Sequence, residues 1–168
     1  RDYIEMNLKL YQFPKQLKKL ILALLFSLTF GVCIGLGFLY YITSYSPHKA
    51  IERYNGSQAS DEFEIVENYP KPISEIFITT HNHVIAFTLI FSVVAIIFYF
   101  SSVLNSFWKT FFLIEPFISI VISFGSLWLM RFVNPNFVYL MTVSSSIIYL
   151  SYFIMLSLIV YEIIYKKS

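Results

Sequence analysis

Two histidines separated by one residue stand in the run Thr79-Thr80-His81-Asn82-His83. The run lies where a polar, acidic stretch gives way to a long apolar one. An imidazole at such a boundary can ligate haem or a metal, relay a proton, or serve as a plain helix-end residue. Glu115, followed by Pro116, is the second anomaly, because it sits inside another apolar run. An ionisable side chain in hydrocarbon is costly and is a functional hypothesis by default. Pro116 adds to it by freeing the carbonyl of Phe112 from its helical partner. Arg131 closes the same run, and Arg53 lies in the acidic stretch. Met130 and Met141 flank the turn that follows.

Each group admits a definite chemistry and a plain alternative. His81 with Met130 or Met141 is a conceivable axial pair for haem b, and Arg53 and Arg131 are cations for haem propionates or a quinone carbonyl. The alternative for His81 is a structural or capping residue. A zinc site asks for three or four ligands. Only His48, His81 and loop carboxylates are candidates, and their spacing does not demand one. Glu115 reads either as an intramembrane proton or ion site or as a carboxylate near the headgroups paired with Lys109. Glu162, four residues before Lys166, reads as an interfacial ion pair.

These residues are carried by a membrane chain. Of 168 residues, 57% are hydrophobic and 13% charged, and the mean hydropathy is +0.67. Soluble domains carry about 25% charged residues. The sequence has no phosphate loop, no ordered Ser-His-Asp set and no CxxC, so soluble enzyme classes find no support. A net charge of +2 with no basic block gives nucleic acid no footprint. Cys33 is the single cysteine and forms no internal disulfide.

Four segments are apolar for the ~20 residues that cross hydrocarbon as a helix. They span about 20–42, 74–102, 107–130 and 137–164, within one membrane domain covering 1–168. The expected fold is therefore an all-α integral membrane protein, a four-transmembrane-helix bundle. Arg1, Lys9, Lys15, Lys18, Lys19, Lys109, Lys166 and Lys167 fall on one side, against Lys49, Arg53, Lys71 and Arg131 on the other. The positive-inside rule then places both termini in the cytoplasm. Residues 43–73 become an outer acidic loop, with Glu52, Asp61, Glu62, Glu64 and Glu67. Residues 1–19 mix Leu8, Leu10, Phe13 and Leu17 with lysines, which suits an interfacial segment lying on anionic lipid.

Helical spacing assigns faces. Gly31 and Gly35, extended by Ala23 and Ser27, form a small-residue row expected to be a close-packing seam. On the second span His81, Thr88, Ser92, Ala95 and Tyr99 share an arc. That arc is expected to face the bundle, near Met130, Arg131 and Met141, with His83 turned to the periphery beside Phe87, Ile90 and Val94. Glu115, Ser119, Ser123, Ser126 and Met130 share a face of the third span. Met141, Ser144, Ser151, Met155 and Glu162 share one of the fourth. A hydrogen-bonded helix interface accounts for these serines, and a proton path from His81 towards Glu115 is the sharper alternative.

With these residues in view, the chain resembles a group of small four-span bacterial inner-membrane proteins. The likeness rests on Glu52-Arg53-Tyr54-Asn55-Gly56, Thr80-His81-Asn82-His83, Ile114-Glu115-Pro116-Phe117 and the Gly125-to-Arg131 helix end. The resemblance implies a bacterial inner membrane and an extended outer loop, and it brings no activity. The expected function is a non-catalytic subunit of a larger, energy-transducing inner-membrane complex, with lipids and other membrane subunits as partners. The alternatives are an electron-transfer subunit binding haem b or quinone near His81, and an ion or proton pathway through Glu115.

Overall fold

In a computed structural model, residues 8–57 and 69–166 are described. Five helices account for most of them: α1 (Lys15–Thr43), α2 (Pro47–Asn55), α3 (Ile73–Tyr99), α4 (Ser106–Phe132) and α5 (Phe137–Tyr165). Four of these are long and apolar enough to cross a membrane, α2 being the exception. At 1.5 Å per residue the 29 residues of α1 and α5 reach about 44 Å. That exceeds ~30 Å of hydrocarbon, so the helix ends extend into the headgroups or the helices tilt.

Prolines mark the helix starts. Pro14 and Pro72 precede α1 and α3, and Pro47 opens α2. Proline suits these positions because the first helical turn has no use for its missing N–H. Asn105 caps α4 by accepting the Trp108 N–H at 3.1 Å. Pro116 lies inside α4, which continues through it without a break in the helix.

The α4–α5 hairpin is the centre of the bundle, with α3 packed on it. The main core holds Phe91, Val94 and Phe98 from α3, Ile120 from α4, and Ile148, Tyr152, Met155 and Ile159 from α5. The α1 helix contributes Ile21, Leu25 and Val32, and of its outer half only Val32 and the terminal Thr43 are buried. Thr29 Oγ1 and Tyr152 Oη, 3.0 Å apart, tie its middle to α5. The side carrying the α1–α2 and α4–α5 connections is called the outer end here, following the charge distribution.

The inner end is closed by a hub around Glu162, which is fully buried. Its carboxylate accepts Ser101 Oγ at 2.6 Å, the Ser102 N–H at 2.9 Å and Ser102 Oγ at 2.7 Å. Lys109 donates to the Ser101 carbonyl and Lys166 to Ser102 Oγ, at 2.8 and 2.9 Å. Lys166 thus reaches Glu162 through the Ser102 hydroxyl that both share, not by a direct ion pair. Leu10 also belongs to this end. It is fully buried, and its N–H donates to the Phe100 carbonyl at 2.8 Å. Of residues 8–19 only Leu10 is buried, and α1 begins at Lys15. Residues 1–7 lie outside the described residues.

Within residues 43–73 a short helix, α2, occupies Pro47–Asn55. Ser44 and Tyr45 both take left-handed backbone conformations, with φ of 49° and 55°. That reversal lays α2 across the outer end. Ala50, Ile51 and Tyr54 then join a second cluster with Ile76, Leu127, Met130 and Val138. Asn55 Nδ2 donates to the Met130 carbonyl at 3.2 Å, and the Lys71 N–H to the Tyr54 carbonyl at 3.1 Å. The acidic residues Asp61, Glu62, Glu64 and Glu67 lie outside the described residues.

Candidate functional site

A cavity of about 440 Å³ opens on the outer side of the bundle. Its walls come from α1 (Gly31, Gly35, Phe38), α3 (His83, Phe87, Ile90), α4 (Ser123, Phe124) and α5 (Met141, Ser145, Tyr149). Arg53 and Tyr54 of α2, together with Lys71, also line it. The cavity exists because α1 diverges. Its inner half packs through Ile21 and Leu25, while Gly31 and Gly35 face open space, with no atom within 4 Å of where a Cβ would stand. The glycine row is therefore a thin wall of a cavity, not the close-packing seam that its spacing suggested. A second, smaller space lies between α1 and α5 and shares Leu39, Thr43, Met141 and Tyr149 with the first.

Both histidines are exposed, but only His83 lines the cavity. His83 lines the cavity and stacks near Phe124 and Phe87, at ring separations of 5.8 and 6.3 Å. His81 is exposed and does not line it. The reason is how α3 satisfies its polar groups. Ser92 Oγ donates to the Thr88 carbonyl at 2.7 Å within the same helix, so that polar stripe needs no interior partner. The large apolar side chains Phe87, Phe91, Val94 and Phe98 take the inner face instead. Thr80, beside His81, accepts Trp128 Nε1 at 2.9 Å.

His83 Nδ1 lies 2.9 Å from the Thr79 carbonyl. A carbonyl only accepts, so Nδ1 carries the proton, and Nε2 is an acceptor in the neutral ring. Of the residues expected to hold a cofactor, Arg53 and Met141 line the cavity. Met130 is buried in the outer cluster with α2, and Arg131 has its guanidinium 5.4 Å over the Phe132 ring. Arg131 Nε and Asn55 Oδ1 are both buried without a hydrogen-bond partner. His81, Met130 and Arg131 thus stand outside the cavity that Arg53, Met141 and His83 share.

Glu115 is half-buried and fully engaged. Ser119, one turn on, donates to Oε1, and Ser151 of α5 donates to Oε2 at 2.6 Å. Lys109 is committed to Ser101 instead. Further out on the same interface Ser123 and Ser145 Oγ atoms are 3.3 Å apart. The serine faces of α4 and α5 do meet, as a row of interhelical bonds with Glu115 at its inner end. Among the described residues no three His, Cys, Asp or Glu side chains gather to hold a metal, and His48 pairs with Glu52 at 3.6 Å.

The Arg53 side chain makes no hydrogen bond or ion pair among the described residues. Lys71 is held by Glu75 at 2.5 Å. Sequence reasoning missed His83 as the cavity residue. The signal was present: His83, Phe87 and Ile90 follow i, i+4, i+7 spacing on the more heavily aromatic face. A family model described as a transmembrane helical domain (Aq_1264_TM) matches residues 44–168, the stretch running from the end of α1 through α5. No curated protein and no solved structure matches the chain.

Proposed function

The chain belongs to this family of transmembrane helical domains, and on that footing we propose that it is a non-catalytic membrane subunit holding an amphiphilic ligand in its outer cavity. The supporting observation is the cavity itself, with apolar walls inside and Arg53, Lys71 and His83 among its polar groups. Ligand sites combine such a wall with a few placed polar groups. An amphiphile matches the gradient from the glycine-lined wall to the charged mouth. The route for it is lateral, from the leaflet past the divergent half of α1. The bacterial inner membrane and a larger assembly complete the reading. The broad exposed aromatic surface, with Phe26, Phe30 and Tyr41 on α1, supports contact with lipids and with other membrane subunits.

The test is extraction and mass spectrometry of the purified chain. About one amphiphile per chain is expected to stay bound in mild detergent. Gly35→Leu fills the wall without backbone strain, since a Cβ there meets nothing, and is expected to remove it. A chain that carries no amphiphile, or a Gly35→Leu variant that carries as much as the parent, contradicts the reading. Purification from gentle detergent that yields only the isolated chain contradicts the assembly.

A second reading keeps electron transfer, moved from His81 to His83. Its support is that His83 and Met141 line one cavity with Arg53, and that His83 has Nε2 left for an axial bond. Haem b would bring one-electron chemistry there, while the chain would supply ligands and a cation for a propionate. A dithionite-reduced spectrum with an α-band lost in His83→Phe supports it. A spectrum without that band excludes a reducible haem b in the preparation.

A further inference from the structure

Resting on the cavity reading above, we propose that the amphiphile is an anionic phospholipid of the outer leaflet, with its phosphate held by Arg53. The inference begins with charge. Arg53 is half-buried, lines the cavity and has no partner among the described residues. Its guanidinium nitrogens are not among the buried partnerless atoms, so they stay accessible at the mouth and free to meet an anion. Its planar fork fits phosphate oxygens in pairs. Lys71, the other cation of the cavity, is already neutralised by Glu75. The unmet demand is thus for one anion, at Arg53.

The second observation concerns the rest of the head. His83 holds its proton on Nδ1 against the Thr79 carbonyl, so in the neutral ring Nε2 can accept a hydroxyl. A glycerol head group offers one beside its phosphate. The third is shape. Below the mouth Gly31, Gly35, Phe87 and Ile90 leave room for an acyl chain, while Ser123 and Ser145 in the same wall are 3.3 Å apart and bond each other. A free phosphate would use only the mouth, so the lipid is the occupant that satisfies both ends.

The experiment reconstitutes the full chain in vesicles holding equal amounts of phosphatidylglycerol and phosphatidylcholine. The chain is then taken up in mild detergent and its retained lipids are counted by native mass spectrometry. Phosphatidylglycerol is expected to exceed phosphatidylcholine by about tenfold: both offer Arg53 a phosphate, but choline offsets that charge with a cation beside Arg53 and gives His83 no hydroxyl. Arg53→Gln is expected to remove that preference while leaving lipid bound, and Arg53→Lys to keep part of it. Gly35→Leu should lower both lipids together. Equal retention of the two lipids by the parent chain overturns the anionic inference but leaves the cavity reading standing. An undiminished preference in Arg53→Gln does the same. Displacement of phosphatidylglycerol by millimolar inorganic phosphate alone shows an anion site in place of a lipid site, and also overturns it. Retention of neither lipid overturns both the inference and the cavity reading.

Discussion

Glu162 and Glu115 are two carboxylates in spanning helices with different work. Glu162 gathers the α3–α4 connection through three donors, one of them the Ser102 backbone N–H. Removing an acceptor from a buried set leaves its donors unsatisfied, which costs more than the bonds contribute on balance. Glu162→Leu is therefore expected to destabilise the bundle by about 2–4 kcal/mol, read as a lowered Tm in detergent. An unchanged Tm removes the hub from the account. Glu115 bonds one serine on its own helix and one on α5. Glu115→Gln keeps an acceptor for one of them, so a loss of about 1 kcal/mol or less is expected. Proton flux through the reconstituted chain should then match the parent. A flux that falls with Glu115→Gln restores the ion-pathway alternative.

At the scale of elements, α1 and α2 decide whether there is a cavity. Thr29–Tyr152 is the polar tie between α1 and α5, and interhelical bonds in membranes contribute about 0.6 kcal/mol on average. Tyr152→Phe is thus expected to loosen α1 slightly, seen as faster hydrogen exchange in its outer half, without unfolding α3–α5. Helix α2 ends at Gly56, whose φ of 85° and ψ of 161° suit glycine alone. Gly56→Ala is expected to cost about 1–3 kcal/mol, measured by thermal unfolding. The four spans were legible because twenty apolar residues in a row admit no other reading. Helix α2 was missed although Ser46-Pro47 and Asn55-Gly56 bracket it, because nine residues bury too little to stand out. The faces of α4 and α5 were read from their serines. The face of α3 was not, because serine and threonine bonding within their own helix look the same in sequence as those that bond across. The glycine row misled for a related reason: small residues permit close approach but do not bring a neighbour, and α1 had none to offer.

For the whole molecule, sidedness and the cavity are linked. In the orientation expected from the positive-inside rule Arg53, Lys71 and Arg131 lie outside, and the lipid proposed at Arg53 then comes from the outer leaflet. In a Cys33→Ser background, His48→Cys is expected to react with a membrane-impermeant maleimide from outside intact cells, since His48 is exposed. Labelling only after lysis reverses the orientation. The central proposal is that the space between the outer half of α1 and the bundle takes a lipid. It is tested most directly by an electron-microscopy map of the chain in lipid nanodiscs. The account predicts elongated density between the outer half of α1 and α3, ending in a head beside Arg53 and His83. A map in which Gly31 and Gly35 close against α3, leaving no such density, contradicts it.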